Sequence, residues 1–283
     1  MIPAQFDYVR AGSVDEAVSA LAEHDEDAKV LAGGQSLIPL LRLRLAYPEV
    51  VVDVGRIAEM HGIRDDGSHL VIGAMTTHAE VITNELLRRH CGLIAEATET
   101  VADPAVRHRG TFGGSLAHAD PAGDLPAVAL ALDAEFVIAG AGGRRTVSAA
   151  DFFVDYLQTA IEPAEVLVEV RVPKLGDGWG YRYEKFQRVA QAWAIVGVAA
   201  AVRRSNGSIA EARIGLTNMG STPIRASAVE SALAGTGAGE VAAACEAAAE
   251  GTSPPSDLNG KADYRQHLAR VLTRRAVTAA AGY

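Results

Sequence analysis

Two Gly-Gly pairs, each inside a short segment of small and polar residues, constrain the fold of this chain more than any other feature. The first segment reads LAGGQS at 31–36, and the second reads TFGGS at 111–115. Glycine allows a positive φ and a close approach of the backbone to its surroundings. Consecutive backbone N–H groups in such a turn, followed by a helix, can hold an anion. The residues therefore predict either two tight turns or two sides of a cradle for one diphosphate. Side chains that would add hydrogen bonds to such a cradle are those of Gln35, Ser36, Thr111 and Ser115.

Several common site types do not fit this sequence. Neither glycine segment reads GxGxxG after a strand or GxxxxGK[ST], so the Rossmann and P-loop fingerprints are absent. The formal net charge of −9 argues against a nucleic-acid partner. Only two cysteines, Cys91 and Cys245, are present, which is too few for a four-cysteine zinc or iron–sulfur site. We therefore assign no metal ligand and no catalytic residue.

The N-terminal part of the chain alternates helical and extended patterns. Ser13 and Glu16 form a capping-box pattern before a helix over 13–24. A strand over 28–34, a helix over 36–46 and a strand over 49–54 then predict a β/α/β unit around the first glycine pair.

The region that follows contains further strands and short helices. Strands are expected at 69–77 and 165–173, and two short helices at 78–101. A glycine- and aspartate-rich loop starting at 107 leads into an apolar helix that ends near 134. A hairpin is expected over 135–153.

A Gly/Asp stretch at 174–180 is the best candidate for a domain boundary. After it, three extended segments, two of them joined by Asn206–Gly207, predict a three-stranded antiparallel sheet, and helical patterns follow Pro223. We expect an α+β protein with domains at 1–176, divided at about 54, and at 177–283. Because no signal peptide and no apolar stretch of membrane-spanning length is evident, a cytoplasmic location is expected.

Six sequence blocks, which follow one another in a fixed order along almost the whole chain, resemble those of one known family. They read LAGGQSLIPLLRLRLAYPEVVVDV, VIGAMTTHAEV, VADPAVRHRGTFGGSLAHADPAGDLPAVALALDA, EVLVEVRVP, YEKF and IGLTN. Together they resemble the FAD-binding medium subunit of the molybdenum hydroxylases. The start MIPAQFDY, the block IGLTN with the following TP, and ADYR near the end favour the carbon monoxide dehydrogenase type. The resemblance implies a PCMH-type FAD-binding domain of two α/β subdomains followed by a C-terminal domain.

The resemblance also implies the residues that hold FAD, the expected cofactor. In the family two glycine segments enclose the FAD diphosphate, an acid binds the ribityl or ribose hydroxyls, and a lysine and an aromatic residue lie near the flavin ring. Asp124, Lys185 and Trp193 match these last three, and Asp124 could instead cap the helix that follows it. The full predicted set is Leu31, Ala32, Gly33, Gly34, Gln35, Ser36, Leu37, Ile38, Thr77, His78, Val101, Ala102, Gly110, Thr111, Gly113, Gly114, Ser115, Asp124, Leu167, Lys185 and Trp193.

At three of these positions the chain departs from the usual family residue. Gln35 stands where relatives often have His, Ser115 where they often have Asn, and Trp193 where they often have Tyr. The first two exchanges keep a polar group. Near the second glycine segment, Asp103, Arg107 and Arg109 are expected either to shape it or to contact another subunit.

The function implied by the resemblance is electron transfer. The expected partners are a large molybdopterin subunit and a small [2Fe–2S] subunit in a dimer of heterotrimers, with electrons leaving FAD for an external acceptor, a quinone or similar. Association with a membrane through the partners stays open. Two alternatives remain: a medium subunit of a nicotinate, aldehyde or purine type, and a flavin- or nucleotide-binding scaffold without a redox role. A stand-alone flavin oxidase would need its own substrate base, and none is evident.

Overall fold

The computed structural model describes residues 2–283. The strands are β1 Asp7–Arg10, β2 Ala28–Leu31, β3 Val50–Asp53, β4 Ile63–Asp65, β5 His69–Gly73, β6 Glu135–Gly140, β7 Gly143–Ser148, β8 Phe153–Asp155, β9 Gln158–Thr159, β10 Val166–Pro173, β11 Trp179–Phe186, β12 Val196–Ser205, β13 Ser208–Thr217 and β14 Ile224–Arg225. The helices are α1 Val14–His24, α2 Leu37–Leu43, α3 His78–Thr83, α4 Glu85–His90, α5 Gly92–Glu99, α6 Pro104–Arg107, α7 Phe112–His118, α8 Asp124–Ala131, α9 Ala149–Phe152, α10 Ser227–Leu233, α11 Val241–Ala244 and α12 Ala262–Ala281.

The first sheet has the order β1-β3-β2, and its strands are parallel. Helix α2 connects β2 to β3, so the predicted β/α/β unit is present. Ser13 caps α1 by accepting a hydrogen bond from the N–H of Glu16, as its capping-box pattern indicates. Strand β2 ends at Leu31, just before the glycines, and α2 ends at Leu43, because Arg44 is left-handed with φ 55°.

The second sheet has the order β4-β5-β10-β6-β7 and is antiparallel. Between β5 and β6 the chain forms a run of short helices. The interval 78–101 holds three helices instead of the predicted two, because Asn84 caps α4 and Cys91 separates α4 from α5. The second glycine segment, expected in a loop, opens helix α7, which Thr111 caps by accepting from the N–H of Gly114.

The third sheet has the order β11-β12-β13-β14 and is antiparallel, as predicted. Asn206 and Gly207 both have positive φ, 52° and 85°, in the tight turn between β12 and β13. The two-residue strand β14 is an addition to the three predicted strands. Helix α12 packs on β11 and β12, and it lies so close to Gly180 that a Cβ there would be 1.9 Å from the carbonyl oxygen of Ala280.

Two hydrophobic cores are present. One joins the first two sheets and α8 to Tyr183, Ala199 and Ala201 of the third sheet, and the other lies between the third sheet and helices α10 to α12. Because the first core reaches into β11 and β12, the third sheet is tied to the region around the second glycine segment. No helix within residues 2–283 is both long and apolar enough to cross a membrane.

Candidate cofactor site

A cavity of about 670 Å³ lies where the two glycine segments, α8, β10 and β11 meet. All but three of the sequence-predicted residues line it. The exceptions are Leu31, at the end of β2, Ile38, whose side chain is exposed on α2, and Thr77, which caps α3 together with Glu80. The fold thus gathers residues from 32 to 193 around one space, while these three positions stay outside it.

The first glycine segment lies against the residues just before the second one. A Cβ on Gly33 would lie 2.2 Å from the carbonyl oxygen of Arg109 and 2.8 Å from the Cα of Gly110. No side chain fits at such distances, because the atoms it would meet belong to the backbone. Gly34 has φ 72°, which also favours glycine. The first pair is therefore glycine because the backbone must turn there and lie against the residues before Thr111.

The first segment offers a row of free backbone donors. The N–H groups of residues 33–37 donate to no acceptor in the described part of the chain, and α2 begins at Leu37. Successive free N–H groups at a helix start attract an anion. This segment has the chemistry expected of a diphosphate cradle.

The second segment plays a different part from the first. Its N–H groups at 112–115 are already used by the carbonyl oxygens of Thr76, Ala74 and Thr111 and by the Thr111 hydroxyl. A Cβ on Gly113 would lie 2.4 Å from the Cβ of Ala74. The second pair thus allows α7 to begin against Ala74, and it shapes the cavity wall rather than repeating the first cradle.

A buried ion pair lies at the floor of the cavity. Lys185 Nζ is 2.8 Å from Asp124 Oδ2, and each side chain is only 4% exposed. Lys185 also donates to the carbonyl oxygen of Thr100 at 3.1 Å. Asp124 is the first residue of α8 and makes no capping bond, so the alternative of an N-cap is wrong. Lys185 lies on β11, and its side chain is buried.

Tyr183 completes this cluster, although it is not among the site residues predicted from the sequence. Its hydroxyl donates to Asp124 Oδ1 at 2.7 Å. Tyr183 and Lys185 are two residues apart on β11, so they share one face, and that alternation was the available signal. Gly197 on β12 leaves room for the hydroxyl, since a Cβ there would lie 2.5 Å from it.

The charges of the cluster are set by burial. Burial raises the pKa of Asp124 above its usual value, although Lys185 and Tyr183 act in the opposite direction. Burial, reinforced by the Asp124 carboxylate, also raises the pKa of Tyr183 far above its usual value, so its hydroxyl stays protonated as a donor. The carboxylate therefore depends on its two partners to remain ionised at this depth.

His78 lines the cavity, and one of its ring nitrogens is unpaired. The side chain is 3% exposed, and its Nδ1 has no hydrogen-bond partner among the described residues. Burial, with a smaller effect from Arg107, lowers the pKa of His78 to about 4, so the imidazole is neutral at pH 7. Buried polar atoms are almost always paired, so an inaccessible imidazole nitrogen without a partner is unusual in a folded chain.

A strained backbone turn forms another part of the wall. Ala102 has φ 43°, which is unusual for a residue with a side chain. Arg107 holds the turn by donating from Nη1 to the carbonyl oxygens of Val101, at 2.8 Å, and Ala102, at 3.3 Å. Asp103 caps α6 and accepts from Gln191. Arg107 and Asp103 thus shape this region through hydrogen bonds to backbone and amide groups.

The residues present fit a cofactor that carries a diphosphate and hydroxyl groups. The cradle at 33–37 is open to an anion, the Gly33 contact leaves no space for a side chain, and the buried His78 nitrogen lacks a partner. Each oxygen of the Asp124 carboxylate has one protein donor and can accept a further hydroxyl.

Two protein-family models match the chain and decide its family. Residues 4–175 match the FAD-binding domain of molybdopterin dehydrogenases, and residues 181–280 match the C-terminal domain of the CO dehydrogenase flavoprotein. The chain belongs to this flavoprotein family. FAD is the cofactor of this flavoprotein subunit, which is part of an oxidoreductase.

Individual relatives resemble this flavoprotein over its whole length. It is 44% identical to the carbon monoxide dehydrogenase medium chain of Hydrogenophaga pseudoflava, covering 99% of this chain and 98% of that one. It is 42% identical to the medium chain of Afipia carboxidovorans, with 98% and 97% covered. Identity to the 6-hydroxypseudooxynicotine dehydrogenase complex subunit alpha of Paenarthrobacter nicotinovorans is 38%, with 99% and 96% covered. The solved carbon monoxide dehydrogenase of H. pseudoflava that lacks the Mo-pyranopterin moiety matches with a TM-score of 0.96 at 45% identity, covering 99% of this chain and 98% of that chain.

Proposed function

We propose that this chain is the FAD-carrying medium subunit of an aerobic carbon monoxide dehydrogenase. The observation that carries the proposal is the full-length identity of 44% to a carbon monoxide dehydrogenase medium chain, combined with a cavity that fits FAD. Its partners are a large molybdopterin subunit and a small [2Fe–2S] subunit, arranged as a dimer of heterotrimers. It passes electrons from the small subunit to an external acceptor.

Within this function, the chain's residues bind and orient the cofactor. The free N–H groups at 33–37 hold the diphosphate, and Asp124 accepts hydrogen bonds from ribityl or ribose hydroxyls. Lys185 and Trp193 lie near the ring end, where a buried cation favours electron-rich states of a flavin. FAD supplies the redox chemistry when it is bound.

The glycine contact gives a direct test of FAD binding at this site. Gly33→Ala forces a Cβ into the backbone at Arg109 and should reduce the FAD content of the purified chain at least tenfold, measured by absorbance near 450 nm. Gly239→Ala is a matched control, because a Cβ there meets no atom within 4 Å. Equal FAD content in both variants would contradict the placement of the diphosphate.

The substrate of the assembled enzyme needs a separate test, because the 38% identity to a 6-hydroxypseudooxynicotine dehydrogenase subunit favours a second candidate. The chain is co-expressed with a large and a small subunit of a carbon monoxide dehydrogenase, and flavin absorbance is followed without oxygen. Bleaching by carbon monoxide supports the proposal. Bleaching only by a nicotine-type heterocycle supports the alternative, and no bleaching by either in a complex that holds FAD supports a scaffold without a redox role.

A further inference from the structure

Helix α5 covers one edge of the third sheet, next to the buried Asp124–Lys185 pair. Among residues 2–283, strand β11 pairs with no strand other than β12, so its other side presents backbone groups without a strand partner. Helix α5 packs against β11 and bonds to it at two points, Glu96 within the helix and Thr100 at its end. The helix thus holds the free edge of the strand that carries Tyr183 and Lys185.

The first point is a hydrogen bond from the backbone of β11 to a side chain of α5. The N–H of Tyr183 donates to Oε1 of Glu96 at 3.2 Å. The guanidinium of Arg182, the preceding residue, lies 3.4 Å from the same oxygen. Because 3.2 Å is already near the upper limit for an N–H···O bond, a carboxylate on a side chain one methylene shorter would lose it.

The second point is a hydrogen bond from a side chain of β11 to the backbone of α5. Lys185 Nζ donates to the carbonyl oxygen of Thr100 at 3.1 Å and to Asp124 Oδ2 at 2.8 Å. Tyr183 and Lys185 are two residues apart, so they share one face of the strand. A displacement of the β11 backbone at Tyr183 therefore moves Lys185 and the place of its ammonium at the cofactor cavity.

The other glutamate of α5 has a different environment. Glu99, three residues later, pairs with Arg88 of α4 at 2.8 Å, and 49% of its side chain is exposed. An exposed pair of this kind contributes little to the stability of the fold. Glu99 therefore provides a control of the same residue type on the same helix.

We propose that Glu96 is a positioning residue: through the N–H of Tyr183 it fixes β11, and thereby the place of the Lys185 ammonium at the cofactor cavity. Within the described part of the chain Glu96 does not line that cavity, so it acts through Lys185. The inference rests on the proposed function in one respect, because that function places Lys185 near the flavin ring. A cation there favours electron-rich states of a flavin, so a displaced ammonium lowers the midpoint potential of FAD.

Two substitutions at Glu96 separate the reach of the side chain from its charge. Glu96→Asp keeps the charge and loses the bond, whereas Glu96→Gln keeps an oxygen within reach of the Tyr183 N–H and loses the charge. The midpoint potential of FAD is measured by anaerobic redox titration of the FAD-loaded full chain, followed near 450 nm. Glu96→Asp should lower the equilibrium constant for two-electron reduction about tenfold, which is about 30 mV. Glu96→Gln and the control Glu99→Asp should not lower it.

A second measurement needs no FAD. Hydrogen exchange at the Tyr183 amide should quicken about tenfold in Glu96→Asp, because the amide loses its acceptor. The rate should stay within about twofold of the wild-type rate in Glu96→Gln and in Glu99→Asp.

Each outcome decides the inference. It is overturned if Glu96→Asp keeps the wild-type potential, if Glu96→Gln lowers the potential as much as Glu96→Asp does, or if the Tyr183 amide of Glu96→Asp exchanges at the wild-type rate. FAD held at one potential by the wild type and all three variants refutes only this inference. A wild-type chain that binds no FAD refutes the proposed function, and the exchange rates then decide whether Glu96 holds β11.

Discussion

Replacing Lys185 by Met should destabilise the folded chain strongly, because it leaves a buried charge without its partner. Lys185 Nζ lies 2.8 Å from Asp124 Oδ2, and both side chains are 4% exposed. Removing one partner of a buried ion pair costs about 3–5 kcal/mol. Methionine keeps most of the apolar stem, so lost packing contributes little. A loss of this size is a large share of the roughly 5–15 kcal/mol by which a typical protein is stable.

The same variant should respond to pH in a defined direction. The pKa of Asp124 is raised by burial in the wild-type protein, and loss of Lys185 raises it further. A carboxyl that binds its proton more tightly when folded loses stability as pH rises from its unfolded pKa to its folded pKa. Lys185→Met should therefore recover part of its stability when pH is lowered from 7.5 to 5, and adding Asp124→Asn should make the loss smaller and independent of pH.

The assay is urea unfolding followed by far-UV circular dichroism at both pH values. Lys174→Met is the matched control, because Lys174 pairs with Asp65 at 2.7 Å with 19% and 38% of the side chains exposed. Pairs with such exposure are worth about 0–1 kcal/mol. Equal losses of unfolding free energy in the two lysine variants at pH 7.5, or a gap between them that widens on acidification, would contradict a buried, unpaired Asp124 charge.

Three further outcomes follow from the same site. Tyr183→Phe should cost about 1.5–3 kcal/mol in urea unfolding, because Asp124 loses a buried donor; a loss below 0.5 kcal/mol would mean that water replaces the hydroxyl. Burial lowers the pKa of His78 to about 4, so the folded chain resists protonation of this side chain. The free energy of unfolding should therefore decrease by about 3 kcal/mol as pH falls from 7 to 4. His78→Leu should flatten that part of the stability–pH curve, and an unchanged curve would contradict a buried neutral imidazole. Thr111→Ala should cost about 1 kcal/mol by thermal unfolding, since α7 loses its cap, whereas Thr111→Ser should cost little.

Local chemistry explains which parts of the fold could be predicted. The cap at Ser13, the turn at Asn206–Gly207 and the long strands of the third sheet are each encoded by residues a few positions apart. Strand β14 has two residues, too few for an alternating pattern to indicate it. Helix α7 was missed because its two glycines are typical of a loop, and it forms because Thr111 caps it and Gly113 fits against Ala74.

The candidate site, like the fold, was only partly predictable from the sequence. By itself, the sequence determined the two glycine segments, the order of the blocks that resemble the flavoprotein family, and through them a set of residues around FAD. Only the tertiary structure decided that Gly33 must meet the backbone of Arg109, that Tyr183 joins the Asp124–Lys185 pair, and that the His78 nitrogen has no partner. The physical reason is distance along the chain. Asp124 and Lys185 are 61 positions apart, and a pattern with a period of two or about 3.6 residues carries no information about which distant side chains burial will bring together.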